Sequence, residues 1–252
     1  MSNEGETPPL IDLHCHLLPG VDDGSATPAQ SAAVTARLWS EGVREICLTP
    51  HVTLSRTAGA PRAARLAQLA AAHEAMLTAT AQLPMRFWRG AEIMIDEPPG
   101  ARHDLGRPLS LGESSAVLIE FPISITSAAV MGTVRALCDR ALVPLIAHPE
   151  RYDCCSPNTV DSWRQAGAWI QATATRAVVG THVRGERVRA LLHFGLVDLL
   201  AGDNHGDDRS VAPAYRLLVA AGHAAAAAQL CSTAALALLT GAPRPTPMSI
   251  EQ

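Results

Sequence analysis

Leu10-Ile11-Asp12-Leu13-His14-Cys15-His16 is an apolar run that ends in a histidine pair. A strand period of two puts Asp12, His14 and His16 on one face and Ile11, Leu13 and Cys15 on the other. Two imidazoles on one face of a strand end offer two nitrogens to a single cation and suit zinc, manganese or iron. The same design, a short apolar run stopping at polar residues, returns at 43–51, 87–93, 116–121, 143–148, 169–172 and 197–203, and each run reads as a strand. Helix-forming stretches lie between them at 28–41, with Thr27 as N-cap, and at 61–83, 127–140, 159–166, 185–193 and 210–221. Such alternation over 252 residues predicts parallel β/α units in one domain spanning 10–240, with loosely ordered termini at 1–9 and 241–252.

Periodicity leaves a barrel and an open doubly wound sheet both available, and the strand ends discriminate between them. In a barrel the functional side chains sit at the C-terminal ends of several strands. Here those ends carry His14 and His16, His51, Glu92, Glu120, His148, and Asp203 with His205, while no glycine-rich nucleotide fingerprint follows any strand. Carboxylates that follow apolar runs are costly to bury unless paired or bound to a cation. A carboxylate also bridges two ions where an imidazole does not, so the mixture predicts a multinuclear metal centre.

Composition removes several alternatives. All 20 basic residues are Arg, which excludes Schiff-base enzymes, P-loop nucleotide binders and kinases built on a lysine ammonium. A net charge of −4 without a basic stripe predicts no nucleic-acid partner. The acidic, proline-bearing start lacks the pattern of a signal peptide. The apolar stretch 224–242 is mostly Ala and contains Gln229, Ser232 and Thr233, so it reads as a pair of packed helices rather than a membrane span. The six scattered cysteines read as reduced thiols of a cytoplasmic protein. None is a phosphatase nucleophile of the type followed six residues later by Arg, because that position holds Val21, Thr53, Pro144, Val160, Asp161 and Ala237 in turn.

The stretches Ile11-Asp-Leu-His-Cys-His16, Pro19-Gly-Val-Asp-Asp-Gly24, Leu48-Thr-Pro-His51, Gly90-Ala-Glu92, Leu118-Ile-Glu120, His148-Pro-Glu-Arg-Tyr152 and Asp203-Asn-His205 together resemble the PHP (polymerase and histidinol phosphatase) domain family. They are most similar to its branch of bacterial tyrosine phosphatases from capsule and exopolysaccharide operons. The resemblance implies a distorted, TIM-like barrel of seven β/α units with three divalent metal ions, manganese first and iron or zinc as alternatives. His14, His16, Glu92 and Asp203 would hold one ion, Glu92 would bridge to a second on Glu120 and His148, and Asp23, His51 and His205 would hold the third. Asp23 enters through the resemblance alone, with Asp22 as the neighbouring alternative.

A cluster of cations lowers the pKa of a shared water and neutralises phosphoryl oxygens, so the chemistry expected is attack of hydroxide on phosphorus without a phosphoenzyme. Arg151 and Arg209 follow the ligands His148 and His205 closely enough to lean over the site, and the planar guanidinium fork suits phosphate. With Asp203 they form the expected catalytic set. The substrate implied is a phosphotyrosine protein, a tyrosine kinase of polysaccharide export being the partner the family suggests. Residues 52–56 after His51, and Arg209-Ser-Val-Ala-Pro213 in place of the family's Arg-Pro-Pro, alter the substrate-reading rim. Two further readings follow: a small-molecule phosphatase acting on a compound such as histidinol phosphate, or a metal-bound phosphoprotein-binding module without turnover.

Overall fold

The computed structural model describes residues 8–175 and 182–250. Its strands are β1 (Leu10–Cys15), β2 (Val43–Leu48), β3 (His51–Thr53), β4 (Arg86–Arg89), β5 (Glu92–Met94), β6 (Ala116–Glu120), β7 (Val143–Ala147), β8 (Trp169–Thr173) and β9 (Leu199–Ala201). They are interleaved with α1 (Pro28–Ser40), α2 (Gly59–Ala79), α3 (Ser127–Cys138), α4 (Pro157–Gln165), α5 (Val183–His193), α6 (Ala212–Ala220), α7 (Ala224–Ala228) and α8 (Ala234–Thr240). Thr27 caps α1 as expected, its Oγ1 accepting from the Gln30 N–H at 3.2 Å.

All strand pairs are parallel and fall into two sheets, β1-β2-β4 and β3-β5-β6-β7-β8-β9. The ring closes from β9 back to β1 at the rim, where the His16 N–H donates to the Asn204 carbonyl at 2.7 Å. Two of the expected strands, 43–51 and 87–93, are each broken, which separates the sheets. Pro50 has no N–H to continue the first ladder. At the second break a Cβ on Gly90 would stand 2.7 Å from Leu111 Cδ2 and 3.1 Å from Cys47 Sγ, so a larger residue would have to displace those buried side chains.

The period assumed for β1 also fails. Asp12 is opposite Ile46 but Cys15 is opposite Leu48, so one extra residue bulges between them. Leu13 packs inside the barrel and Cys15 in the outer layer, which corrects the expectation that they share a face. Asp12 is buried away from the histidines, with Oδ1 accepting from the N–H groups of Gly202 (2.8 Å) and His14 (3.3 Å).

The barrel interior is filled by Ile11, Leu13, Trp88, Leu118, Leu145, Trp169 and Leu199, closed at the N-terminal ends of the strands by Ala235, Leu238 and Leu239 of α8. Each such fully buried Leu is worth roughly 2 kcal/mol in removed apolar surface. The expected pair of packed helices in 224–242 is instead one run, α7 and α8 joined end to end by a π-helical turn, Gln229–Thr233. No Gly or Pro interrupts 224–240, so nothing in the chain breaks the run. Among the described residues no helix is long and apolar enough to cross a membrane. Within the C-terminal tail, Arg244 grips Asp198 and the Ile250 N–H donates to the Leu192 carbonyl. The open, C-terminal end of the ring is left to polar side chains.

Candidate metal centre

Parallel strands deliver their last residues to one rim, and the register sets His51 beside Glu92 and Met94 beside Glu120. Two of the expected ligands, His148 and Asp203, leave their strands with φ of 32° and 53°, a left-handed conformation that costs a non-glycine residue about 1 kcal/mol or more. That turn swings each side chain over the barrel mouth.

All nine residues expected at the centre converge there. Glu92, fully buried, lies at its middle: Oε2 is 3.2 Å from His14 Nε2, 3.3 Å from His16 Nε2 and 3.1 Å from His51 Nδ1, and Oε1 is 2.9 Å from His148 Nε2. Glu120 Oε1 is 3.1 Å from His51 Nδ1. Asp23 Oδ1 stands 3.4 Å from both His51 Nε2 and His205 Nε2. Asp203 Oδ1 is 3.6 Å from His14 Nε2, 3.7 Å from His16 Nε2 and 3.6 Å from His205 Nδ1, and it has no hydrogen-bond partner although buried.

These distances are compatible with shared coordination. Donor atoms on one ion with bonds near 2.1 Å are separated by about 3.0–3.4 Å, the range of the contacts of Glu92 Oε2 to His14, His16 and His51, while the contacts to Asp203 Oδ1 are too long for hydrogen bonds. His14 Nε2 and His16 Nε2 face each other at 3.0 Å, both directed at the same carboxylates. Four overlapping sets of donors lie within 4.8 Å: His16-Asp23-His51-His205, His14-His16-Glu92, His14-His148-Asp203 and His51-Glu92-Glu120.

Two supporting residues orient the rings. His14 Nδ1 is 3.0 Å from Gln171 Oε1 and His16 Nδ1 is 3.1 Å from Asp22 Oδ2, so each Nδ1–H is absorbed and each Nε2 lone pair is presented inward. Asp22 also accepts from the backbone N–H groups of His51 (3.0 Å) and Gly24 (3.1 Å). Burial raises its pKa, but the His16 contact and those N–H groups outweigh it and leave Asp22 at about 2. Geometry thus separates the two aspartates left open by the sequence: Asp22 braces His16, and Asp23 faces the donors. Arg65 donates to the carbonyls of Val21 and His51 and ties that loop to β3. Gln171, in the middle of β8, Asp22 as a brace and Arg65 carried no signal that the sequence reading used.

The electrostatics are those of a site built for positive charge. Burial disfavours the Glu92 carboxylate, yet the surrounding imidazoles hold its pKa well below the ordinary range. Burial likewise opposes protonation of His14 and His51, and the carboxylates overcome it, raising His14 to about 9 and His51 to about 11. In the metal-free protein these protons take the place of cations, so metal binding must release them and apparent affinity must rise with pH. A raised histidine contributes stability that is complete below its ordinary value of 6.5 and is lost as pH climbs through about 9. Chelated protein is therefore expected to lose about 3 kcal/mol between pH 6.5 and 9 from His14, a loss absent from metal-loaded protein; urea midpoints with and without chelator at both pH values check this.

Arg151 and Arg209 both reach the centre. Arg151 Nη1 lies 3.4 Å from His148 Nε2, and Arg209 Nη1 donates to Asp203 Oδ2 at 3.2 Å while its Nε donates to Asp207 Oδ2 at 2.8 Å. No cysteine approaches a nucleophile's condition: Cys15, Cys47, Cys155 and Cys231 are buried, and burial pushes every thiol pKa up, to about 12 at Cys155 and Cys231.

A family model described as capsular polysaccharide synthesis, CpsB/CapC, matches residues 10–221. The chain is 29% identical over 203 residues to the tyrosine-protein phosphatase YwqE of Bacillus subtilis, covering 78% of this chain and 77% of YwqE. It is 26% identical over 211 residues to the tyrosine-protein phosphatase CpsB of Streptococcus pneumoniae, covering 79% and 84% respectively. Among solved structures, one from the pair YwqE of B. subtilis and CpsB of S. pneumoniae, described as metal-dependent tyrosine phosphatases, superposes with a TM-score of 0.75 at 24% identity, covering 96% of this chain and all (100%) of that one. A dihydropyrimidinase from Brevibacillus agri shares the fold at a TM-score of 0.55 and 10% identity, over 96% of this chain and 73% of the enzyme.

Proposed function

Because the chain belongs to the CpsB/CapC family of capsular polysaccharide synthesis, we propose that it is a metal-dependent phosphomonoesterase that hydrolyses phosphotyrosine in proteins. The observation that carries the reading is the convergence of nine His and carboxylate donors around Glu92, in donor sets whose spacing suits a shared ion. The ions proposed are three divalent cations, manganese first, with His14, His16, Glu92 and Asp203 for one, Glu92, Glu120 and His148 for the second, and Asp23, His51 and His205 for the third, although Glu120 stands nearer His51 (3.1 Å) than His148 (4.0 Å). When bound, such ions supply charge neutralisation for a phosphoryl group and an acidified water.

The chain's own residues set the rest. Gln171 and Asp22 fix the tautomers of His14 and His16. Arg151, beside His148 and free of any carboxylate among the described residues, offers its full charge to a phosphate. Arg209 gives part of its fork to Asp203 and Asp207, so it orients Asp203 as well as facing the substrate. No group is required to protonate a strongly basic leaving oxygen when that oxygen belongs to a phenol, which favours aryl over alkyl phosphates. A phosphotyrosine-bearing kinase of polysaccharide export, met in the cytoplasm, fits the family as substrate.

The test is phosphate release by manganese-loaded protein from a phosphotyrosine peptide and from histidinol phosphate, each with a chelated control. The expected result is preference for the peptide, abolished by chelation. Preference for histidinol phosphate would replace the substrate, and peptide binding without release would replace the enzyme by a binding module.

A further inference from the structure

Beside the metal donors a cleft of about 390 Å³ is lined by three arginines, Arg151, Arg184 and Arg209, together with Asp203 and His205. Their charges are committed differently. Arg209 is held by Asp203 and Asp207, and Arg151 lies against His148. Arg184, the second residue of α5 and partly buried, makes no hydrogen bond or ion pair among the described residues, although Asp23, Asp203 and His205 line the same cleft.

Its position is built rather than incidental. Arg187, three residues on and therefore on the same helix face, donates to the carbonyls of Glu150 (3.0 Å) and Tyr152 (2.9 Å). That clamp fastens α5 to the turn Pro149–Arg151, and Arg184, one turn earlier, is carried over the cleft mouth. Of the carboxylates that line the cleft, Glu150 is fully buried, with one oxygen accepting from the Thr173 N–H at 3.0 Å and the other without a hydrogen-bond partner, and among the described residues neither it nor Asp23 or Asp203 forms an ion pair with Arg184.

Arg184 shares the cleft with Asp23, Asp203 and His205 but is bonded to none of them, so its charge is left for an anion of the substrate other than the phosphoryl group that Arg151 and Arg209 face. We propose that Arg184 is a specificity-determining residue that receives a carboxylate side chain flanking the phosphotyrosine, making an acidic peptide the preferred substrate. This rests on the phosphatase reading above, and the experiment separates the two.

Specificity constants are measured for a phosphotyrosine peptide with Glu on both sides and for the same peptide with Gln, using wild type, Arg184→Gln and Arg184→Lys. Wild type is expected to favour the Glu peptide about tenfold, through KM rather than kcat. The ratio falls to about one in Arg184→Gln, whatever that variant does to the absolute rate, and Arg184→Lys restores a part of it. A wild-type ratio near one, or a ratio unchanged in Arg184→Gln, overturns the assignment. If no peptide is turned over, the phosphatase reading fails. The assignment is then decided by binding of fluorescent non-hydrolysable phosphonate peptides, about tenfold tighter with Glu than with Gln flanks in wild type and equal in Arg184→Gln.

Discussion

Glu92→Gln is expected to reduce aryl-phosphate hydrolysis by about 10³-fold or more, the largest effect of any single substitution in this protein. Among the described residues Glu92 is the one carboxylate within 3.3 Å of His14, His16, His51 and His148 together. The amide is isosteric, so packing survives, but it carries no charge and presents only one acceptor oxygen. Bound metal per chain, measured alongside phosphate release, must fall with it. The metal-free variant offers a second signature. Without the Glu92 charge, Asp203 and Gln171 alone oppose burial at His14 and its pKa falls from about 9, so the alkaline loss of stability of the chelated wild type shrinks. A variant that keeps full activity and metal content would remove Glu92 from the centre of the site.

Gly24→Ala is expected to destabilise the protein by about 3 kcal/mol and to empty the site of metal, although Gly24 is not itself a ligand. A Cβ there would stand 1.9 Å from the His16 carbonyl oxygen and 2.6 Å from His16 Cβ, and both belong to the strand end that must stay in place. That carbonyl already accepts from the Ser25 N–H at 2.9 Å, and the Gly24 N–H donates to Asp22. Relief of the collision therefore shifts His16, Asp22 and Asp23 together. Gly132→Ala in α3, where nothing lies within 4 Å of the added atom, is the control and should gain about 0.5–1 kcal/mol from helix propensity. Urea midpoints and metal content of the two variants settle whether the collision, rather than the loss of any glycine, is responsible.

Eight of the nine donors were legible as strand ends because a parallel β/α fold has only one rim at which consecutive C-termini meet, so residue type after an apolar run carries positional meaning. Asp23 was not, since it lies in a loop between Gly20 and Gly24 whose path depends on the close approach to His16. Asp12 shows the opposite failure. Alternation put it beside His14 and His16, and a bulge between Asp12 and Cys15 turned it to the backbone of Gly202 instead. A bulge is fixed by the partner strand, and no local pattern announces it.

The amino-acid sequence by itself determined the β/α order, eight of the nine residues that converge at the rim and the exclusion of lysine and cysteine-nucleophile chemistries, because these depend on residue type and spacing along the chain. The tertiary structure alone decided the break of the ring into two sheets, the braces Asp22 and Gln171, and the state of each arginine. Whether Arg151, Arg184 or Arg209 keeps its charge for a substrate depends on which carboxylates come within about 4 Å, and those partners, Asp203 and Asp207 for Arg209 and, among the described residues, none for Arg184, are brought near or kept away only by the folded chain.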